Sequence, residues 1–327
     1  MLAGGQRALS RAGIARRCAL VALDFDETLT ANDTCAVLGN IRATLAAAVP
    51  ERAAAAARWD GLAAQFAEEY AATVPGLLPN PPLPTWEPDR FQRWVGELRK
   101  FDMRCNAQLE QGALAGIPAS ALAKAAAEEV LPREGAAVVL QQLMHESAAG
   151  RTGTVHVLSA NWCDVFIHEA LRCHFVSEGS LPVVTANRLV MGTEEPPLST
   201  GEIAWAIASA GDKSIWLDPL GSRYGMPGAE QELQVVVGDS VGDLPAMVKA
   251  GVGVIVKESS SLLATVDAFG LTVEPLDKLL ADIAVSGDGG DALQGLARPG
   301  EPVLLQATDW QQIGELLFGA DWQAEEA

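Results

Sequence analysis

Residues 18–23, CALVAL, form an unbroken apolar run that stops abruptly at Asp24-Phe25-Asp26-Glu27-Thr28. A segment apolar on both faces suits a strand covered on both sides, as in a parallel sheet flanked by helices. Runs of the same kind return at TVHVLS (154–159), LPVVTA (181–186), LQVVVGD (233–239) and GVGVIV (251–256), with helical segments between most of them. That alternation predicts an α/β chain whose parallel strands are joined by crossovers.

Between the first two runs the character changes. From about Asp33 to Met144 the chain is rich in Ala at helical period, as in IRATLAAAVPERAAAAARWDGLAAQFAEEY and FQRWVGELRKFDMRCNAQLEQGAL. The connection TVPGLLPNPPLPTWEP is too rich in Pro for a helix to cross. The expected organisation is therefore a first segment 1–32, a helical insertion 33–144, and the rest of the sheet domain in 145–327. Residues 286–300, SGDGGDALQGLARPG, read as a flexible loop, and PVLLQATDWQQIGELLFG reads as a closing strand–helix unit.

The 327 residues are 49% hydrophobic, ample for a core, and carry a net charge of −19. Such a balance argues against a nucleic-acid partner, whose phosphates need a basic surface. It also repels small anions at long range, so a phosphate site here needs cations of its own. The five cysteines are odd in number and scattered, the pattern of a reduced protein. No apolar run approaches the ~20 residues of a membrane helix. The first seventeen residues hold Arg7, Arg11, Arg16 and Arg17 and no acid, which reads as a frayed basic terminus or a fragment of an organelle-targeting segment. The expected compartment is cytoplasmic, with an organelle as the alternative.

Chemistry concentrates where the strands end. Asp24 and Asp26, spaced i and i+2 past the first strand, can both turn into the crevice where α/β sheets bind ligands. One carboxylate can attack phosphorus and form an aspartyl-phosphate. A second can protonate the leaving oxygen and then take a proton from water. Together they also suit Mg²⁺, a hard cation that binds through few carboxylates. By itself the pair is equally a solvated turn. Ser159 closes the second run, with Ala160 and Trp162 beside it, and a hydroxyl with backbone N–H groups there forms an anion cradle or merely a helix cap. Lys213, on an expected helix before LQVVVGD, would neutralise phosphoryl oxygens if aimed inward. Gly238-Asp239-Ser240-Val241-Gly242-Asp243 follows another strand and sets two carboxylates one helical turn apart. Two acids at a helix start also complement its dipole. Each element is modest alone, but their order along the chain is very improbable by chance.

At these residues the chain resembles the haloacid dehalogenase superfamily, whose four motifs match Asp24/Asp26/Thr28, Ser159, Lys213 and Asp239/Asp243. The resemblance implies a doubly wound core with a helical cap inserted between the first and second motifs. It implies Asp24 as nucleophile, Asp26 as acid and base, and Thr28 helping to position Asp26. It further implies Mg²⁺ held by Asp24, the backbone carbonyl of Asp26 and Asp239, with Asp243 in support. Ser159, Ala160, Trp162 and Thr28 would border the substrate. The stretches KFDMRCNAQLEQGALAGI, VLSANWCDVFI, LSTGEIAWAIASAGDKS, VVVGDSVGDLPAMVKAGVGVIVKESSSLL and TDWQQIGELLFG are similar to a narrower group. That group is the phosphatase portion of plant bifunctional thiamin-monophosphate phosphatases, with stand-alone fungal relatives. The plant proteins join this unit to an aminopyrimidine-salvage domain, which is not expected within these residues.

The resulting expectation is a phosphatase of a small phosphorylated metabolite, thiamin monophosphate being the candidate. A phosphotransferase or mutase would use the same covalent intermediate, and a non-catalytic binding protein would predict a broken motif. Asp26 disfavours a dehalogenase. Trp86, Phe91, Trp94 and Phe101 are expected in the core rather than against a substrate ring. The four histidines lack ligand spacing, so no zinc site is expected. Cys163 reads as a small buried hydrophobe, and Arg188 and Lys257 as surface charges. Oligomeric state is not encoded in any local feature.

Overall fold

The computed structural model describes residues 13–45, 49–177, 179–224, 233–286, 289–296, 298, 300–320 and 322. Most of the basic N-terminal segment, Arg7 and Arg11 included, lies outside the described residues. The apolar run becomes strand β1 (Cys18–Leu23). Helices α1 (Thr34–Leu45), α2 (Val49–Thr73), α3 (Pro88–Leu109), α4 (Ala119–Glu129) and α5 (Ala136–Ala148) precede the next strand. Then come β2 (Thr154–Leu158), α6 (Asp164–His174), β3 (Val183–Thr185), β4 (Arg188–Met191), β5 (Ser199–Ala204) and α7 (Ala210–Tyr224). The chain ends with β6 (Leu233–Gly238), α8 (Leu244–Ala250), β7 (Gly251–Ile255), α9 (Ser260–Ala268), β8 (Val273–Pro275), α10 (Leu276–Ser286), α11 (Gly289–Leu296), β9 (Val303–Gln306) and α12 (Trp310–Phe318).

Seven strands form one parallel sheet in the order β3-β2-β1-β6-β7-β9-β8. The chain enters at β1 and winds outward to β2 and β3. It then returns to β6 on the other side of β1 and winds the opposite way. This is a doubly wound α/β fold, and the reversal between β1 and β6 opens a crevice at their C-terminal ends. Side chains alternate across the sheet as the pleat requires. Val21, Leu23, Val155, Val157, Val235 and Val237 face a core built with α5, α6, α10 and α12. Leu20, Ala22, Val236, Ile255 and Leu304 face a second core built with α3, α7, α8 and α9. Burial on both faces is why these strands read as continuous apolar runs rather than alternating ones.

Two details differ from the sequence reading. The glycine-rich 286–300 segment contains helix α11 rather than only loop. A small antiparallel hairpin, β4 with β5, went unrecognised. The boundary drawn at Met144 lies within α5, which packs on β2 and α12. As expected, Phe91, Trp94 and Phe101 are buried, with Trp86 partly so; Phe91 meets Phe269 edge to face at 5.1 Å and Trp94 meets it tilted at 5.3 Å. Gly39 on α1 lets Trp59 of α2 come close; a Cβ there would sit 2.1 Å from the indole.

His156, in the middle of β2, is fully buried, with Nε2 2.9 Å from Thr185 Oγ1. Burial pushes its pKa down from 6.5 to about 4. The native imidazole thus stays neutral where the unfolded one takes a proton, so stability present above pH 6.5 drains as pH falls toward 4. The expected loss by about pH 5 is about 2 kcal/mol. Urea denaturation of wild type and His156→Gln at neutral and mildly acidic pH checks this: the variant should lose less stability on acidification, and equal losses would clear His156.

Candidate active site

The crevice at the strand reversal collects the residues singled out in the sequence. Asp24 directly follows β1, and its N–H donates to Val237 O of β6 at 2.9 Å, extending the ladder by one residue. The chain then turns tightly over 25–29, with Glu27 at φ +53°, a left-handed conformation costing a non-glycine residue about 1 kcal/mol. The turn is clamped from several sides. Thr30 Oγ1 accepts the Glu27 N–H at 3.0 Å, and Arg133 donates to the carbonyls of Glu27 and Thr28. Trp310 Nε1 of α12 also donates to Thr28 O. Lys257 Nζ reaches Glu27 Oε1 at 2.5 Å in a solvent-exposed ion pair, so this surface charge lies beside the turn.

Lys213, on the first turns of α7, points into the crevice and is 4% exposed. Its ammonium lies 2.6 Å from Asp24 Oδ1 and 2.6 Å from Asp243 Oδ1. Carboxylate oxygens of Asp24, Asp239 and Asp243 lie within 4.8 Å of one another. Two carboxylates therefore share one buried ammonium, with a third, Asp239, beside them. Burial, then repulsion from Asp243, pushes the Asp24 carboxyl well above its usual range despite Lys213. Burial and Asp243 likewise lift Asp239 to about 7. Burial works against the charged form of Lys213, yet Asp24 and Asp243 hold its pKa above the ordinary value.

Asp243 does two jobs. Its Oδ2 accepts the N–H groups of Asp239 and Ser240 and the Ser240 hydroxyl, so it shapes the loop after β6 while Oδ1 holds Lys213. The need for glycine at 238 comes from this carboxylate, since a Cβ there would lie 2.5 Å from Asp243 Cγ. Neither Gly238 nor Gly242 has a positive φ, so close approach, not backbone freedom, is the reason.

One expected contact is placed otherwise. Thr28 is buried, but its hydroxyl donates to Asp239 Oδ1 at 3.0 Å rather than to Asp26. Ser159 is fully buried, and its hydroxyl accepts the Asn161 N–H at 3.0 Å and faces Asp26 Oδ2 at 3.5 Å. Asp26 is held instead by residues the sequence reading missed. Thr34 N–H donates to Oδ1 at 2.8 Å, the Thr34 hydroxyl donates to the same oxygen, and Asn161 Nδ2 donates to Oδ2 at 3.1 Å. Burial raises the Asp26 carboxyl, and these donors oppose the rise. Polar side chains in the otherwise apolar LSANWCDVF stretch were the available signal for Asn161. Cys163 is buried, its thiol pushed up to about 11 chiefly by burial, which suits the hydrophobe reading.

A cavity of about 450 Å³ opens beside the cluster, lined by Asp24, Asp26, Ala160, Trp162, Lys213 and Asp239 among others. It continues into an apolar lobe under α2, walled by Trp59, Leu62, Phe66, Leu109 and Trp162. Trp59 and Trp162 meet edge to face at 5.7 Å.

The chain resembles the haloacid dehalogenase superfamily. It is 27% identical over 267 residues to the bifunctional TH2 protein, mitochondrial, of Arabidopsis thaliana, an alignment covering 77% of this chain and 42% of that protein. The chain thus matches about two-fifths of its curated relative's length. A solved phosphoserine phosphatase carrying a phospho-aspartyl intermediate analogue matches 76% of this chain and 91% of its own, at 19% identity and a TM-score of 0.46. A HAD family hydrolase from Salmonella enterica serovar Typhi matches 75% of this chain and 64% of its own, at 16% identity and a TM-score of 0.43. No family model matches.

Replacing Gly238 by Ala should drive Asp243 off Lys213 and destabilise the chain by about 3 kcal/mol, the scale of a broken buried ion pair. Gly242→Ala should cost little, because its Cβ meets only the Ser240 hydroxyl at 3.2 Å. Denaturant midpoints of the two variants test this; equal stabilities would remove the steric role of Gly238.

Proposed function

We propose that the chain hydrolyses a small phosphomonoester through an aspartyl-phosphate on Asp24, with Mg²⁺ as cofactor. The observation that carries this reading is the buried Lys213 ammonium shared by Asp24 and Asp243, beside Asp239 and facing the cavity. The donor set fits a hard divalent cation. All three groups are carboxylates, and one lysine leaves their charge under-compensated in a buried place. Asp24, the Asp26 carbonyl and Asp239 would hold the ion, with Asp243 in support. Bound there, the ion would offset negative charge on the phosphoryl oxygens.

The chain's own residues supply the rest. Lys213 occupies Asp24 Oδ1, which orients Oδ2 for attack on phosphorus. As the new bond forms, the ester P–O bond breaks and its electron pair leaves with the alcohol oxygen. Asp26 gives that oxygen a proton. Asp26 then takes a proton from a water that attacks the aspartyl-phosphate, which releases phosphate and restores Asp24. In this reading the helical segment 33–144 serves as the cap over the leaving group, with α3 reaching both the second core and the cavity.

Thiamin monophosphate is the proposed substrate. The likeness to the TH2 protein supports it, and so does the chemistry of the cavity wall. Phe66 and Trp162 offer aromatic surface to both lobes, where Asp33 is an acid; Trp59 adds to the apolar lobe and the acid Asp102 to the first. Among the described residues, Lys213 is the one basic side chain lining the first lobe, where it is already engaged, and none lines the second. Such a wall favours a heteroaromatic cation, as thiazolium is, over a leaving group bearing a carboxylate.

Phosphate release from a panel of phosphomonoesters, each with Mg²⁺ and with chelator, tests the reading. Chelator-sensitive release concentrated on thiamin monophosphate is expected. Thiamin monophosphate left intact while another ester is cleaved would overturn the substrate, and no release from any ester would overturn the phosphatase. Asp24→Asn should lower kcat by roughly 10⁴-fold or more while leaving the fold intact. Full turnover by that variant would remove Asp24 from the nucleophile role.

A further inference from the structure

We infer that Asn161 is a positioning residue that aims Asp26 at the leaving oxygen, acting together with Thr34. The inference rests on the hydrolase reading above and deepens it.

Asn161 lies in the loop between β2 and α6 and is 1% exposed, so its amide must find partners inside the protein. Its Oδ1 accepts the Cys163 N–H at 3.2 Å. Since that donor requires the oxygen on its side, the orientation of the amide is settled, and Nδ2 is left facing Asp26. Nδ2 lies 3.1 Å from Asp26 Oδ2 and 3.0 Å from Thr34 Oγ1. The Thr34 hydroxyl can then spend its proton only on Asp26 Oδ1, which also accepts the Thr34 N–H at 2.8 Å. Both carboxylate oxygens are thus tethered, one from the sheet loop and one from the first turn of α1. The loop itself is fixed. Buried Asn187 donates from its own N–H to Asn161 O at 3.2 Å and from Nδ2 to Ala160 O at 2.9 Å, while its Oδ1 accepts the N–H groups of Ala206 and Ile207. A carboxyl held at two oxygens by buried, immobile donors has one direction in which to present itself to the cavity.

If Asn161 acts by aiming the acid, its loss must hurt in proportion to how much the leaving group needs a proton. An alkyl alcohol is a poor leaving group and needs one; p-nitrophenolate leaves unaided. The quantity to compare is kcat/KM, which reports steps only up to formation of the covalent intermediate. For Asn161→Ala, kcat/KM on an alkyl phosphomonoester that the unaltered chain hydrolyses should fall roughly 10²-fold, and on p-nitrophenyl phosphate about 3-fold or less. With the second step slowed, p-nitrophenyl phosphate should also give a burst of p-nitrophenol followed by slow turnover. Asn161→Ser removes the amide donor while keeping a small polar side chain in the loop, and should behave as Asn161→Ala does. Thr34→Val should show the same leaving-group dependence in weaker form, and Thr34→Ser should restore wild-type values; this pair carries the test if the Asn161 variants do not fold. Equal losses on both esters, or no loss on either, would overturn the positioning role and leave the hydrolase reading standing. Failure of the unaltered chain to cleave either ester would overturn both.

Discussion

A single buried ammonium organises the crevice. Lys213 sits between Asp24 and Asp243, almost out of reach of water, where each partner unpaired would be costly. Around this contact the loops after β1 and β6 and the start of α7 are brought to one point. Asp243 extends the arrangement by accepting main-chain N–H groups from its own loop, which is why a glycine must precede Asp239. One lysine does not balance three carboxylates, and the raised carboxyls of Asp24 and Asp239 register that shortfall. A site left short of positive charge in this way is suited to a divalent cation and a phosphoryl group arriving together.

The sheet supplies the place. β1 and β6 are neighbours, yet the chain winds away from them in opposite directions, so their C-terminal ends lie in an open crevice. The reactive turn after β1 is not left to its own conformational preference. Glu27 adopts a left-handed conformation, and hydrogen bonds with Thr30, Arg133 and Trp310 hold the turn. Asp26 is fixed separately by Thr34 and Asn161, so the two carboxylates two residues apart answer to different supports. That separation suits a nucleophile and an acid with different tasks.

Much of this was legible in the sequence. Strands buried on both faces betray themselves as unbroken apolar runs, and β1, β2, β6 and β7 were all visible that way. Polar residues at the ends of such runs mark a crevice, which located Asp24, Ser159 and Asp239. Lys213 was found by its order among the motifs rather than by any local feature. What escaped were contacts set by side-chain direction. Thr28 turns to Asp239, not Asp26, because the tight turn after β1 rotates its hydroxyl toward β6. Asn161 and Asn187 make their bonds across loops far apart in sequence, and nothing in local periodicity reports such pairing. Helix α11 hid because its glycines mask its apolar face.

The central claim is that Asp24, restrained by Lys213, becomes covalently phosphorylated. Rapid acid quench of the protein during turnover of a phosphomonoester, followed by peptide mass analysis, tests it most directly. The account predicts one phosphoryl group, labile to hydroxylamine, on the peptide containing Asp24, and none on the same peptide from Asp24→Asn. Sustained phosphate release with no phosphoryl group on Asp24 at any quench time would contradict it.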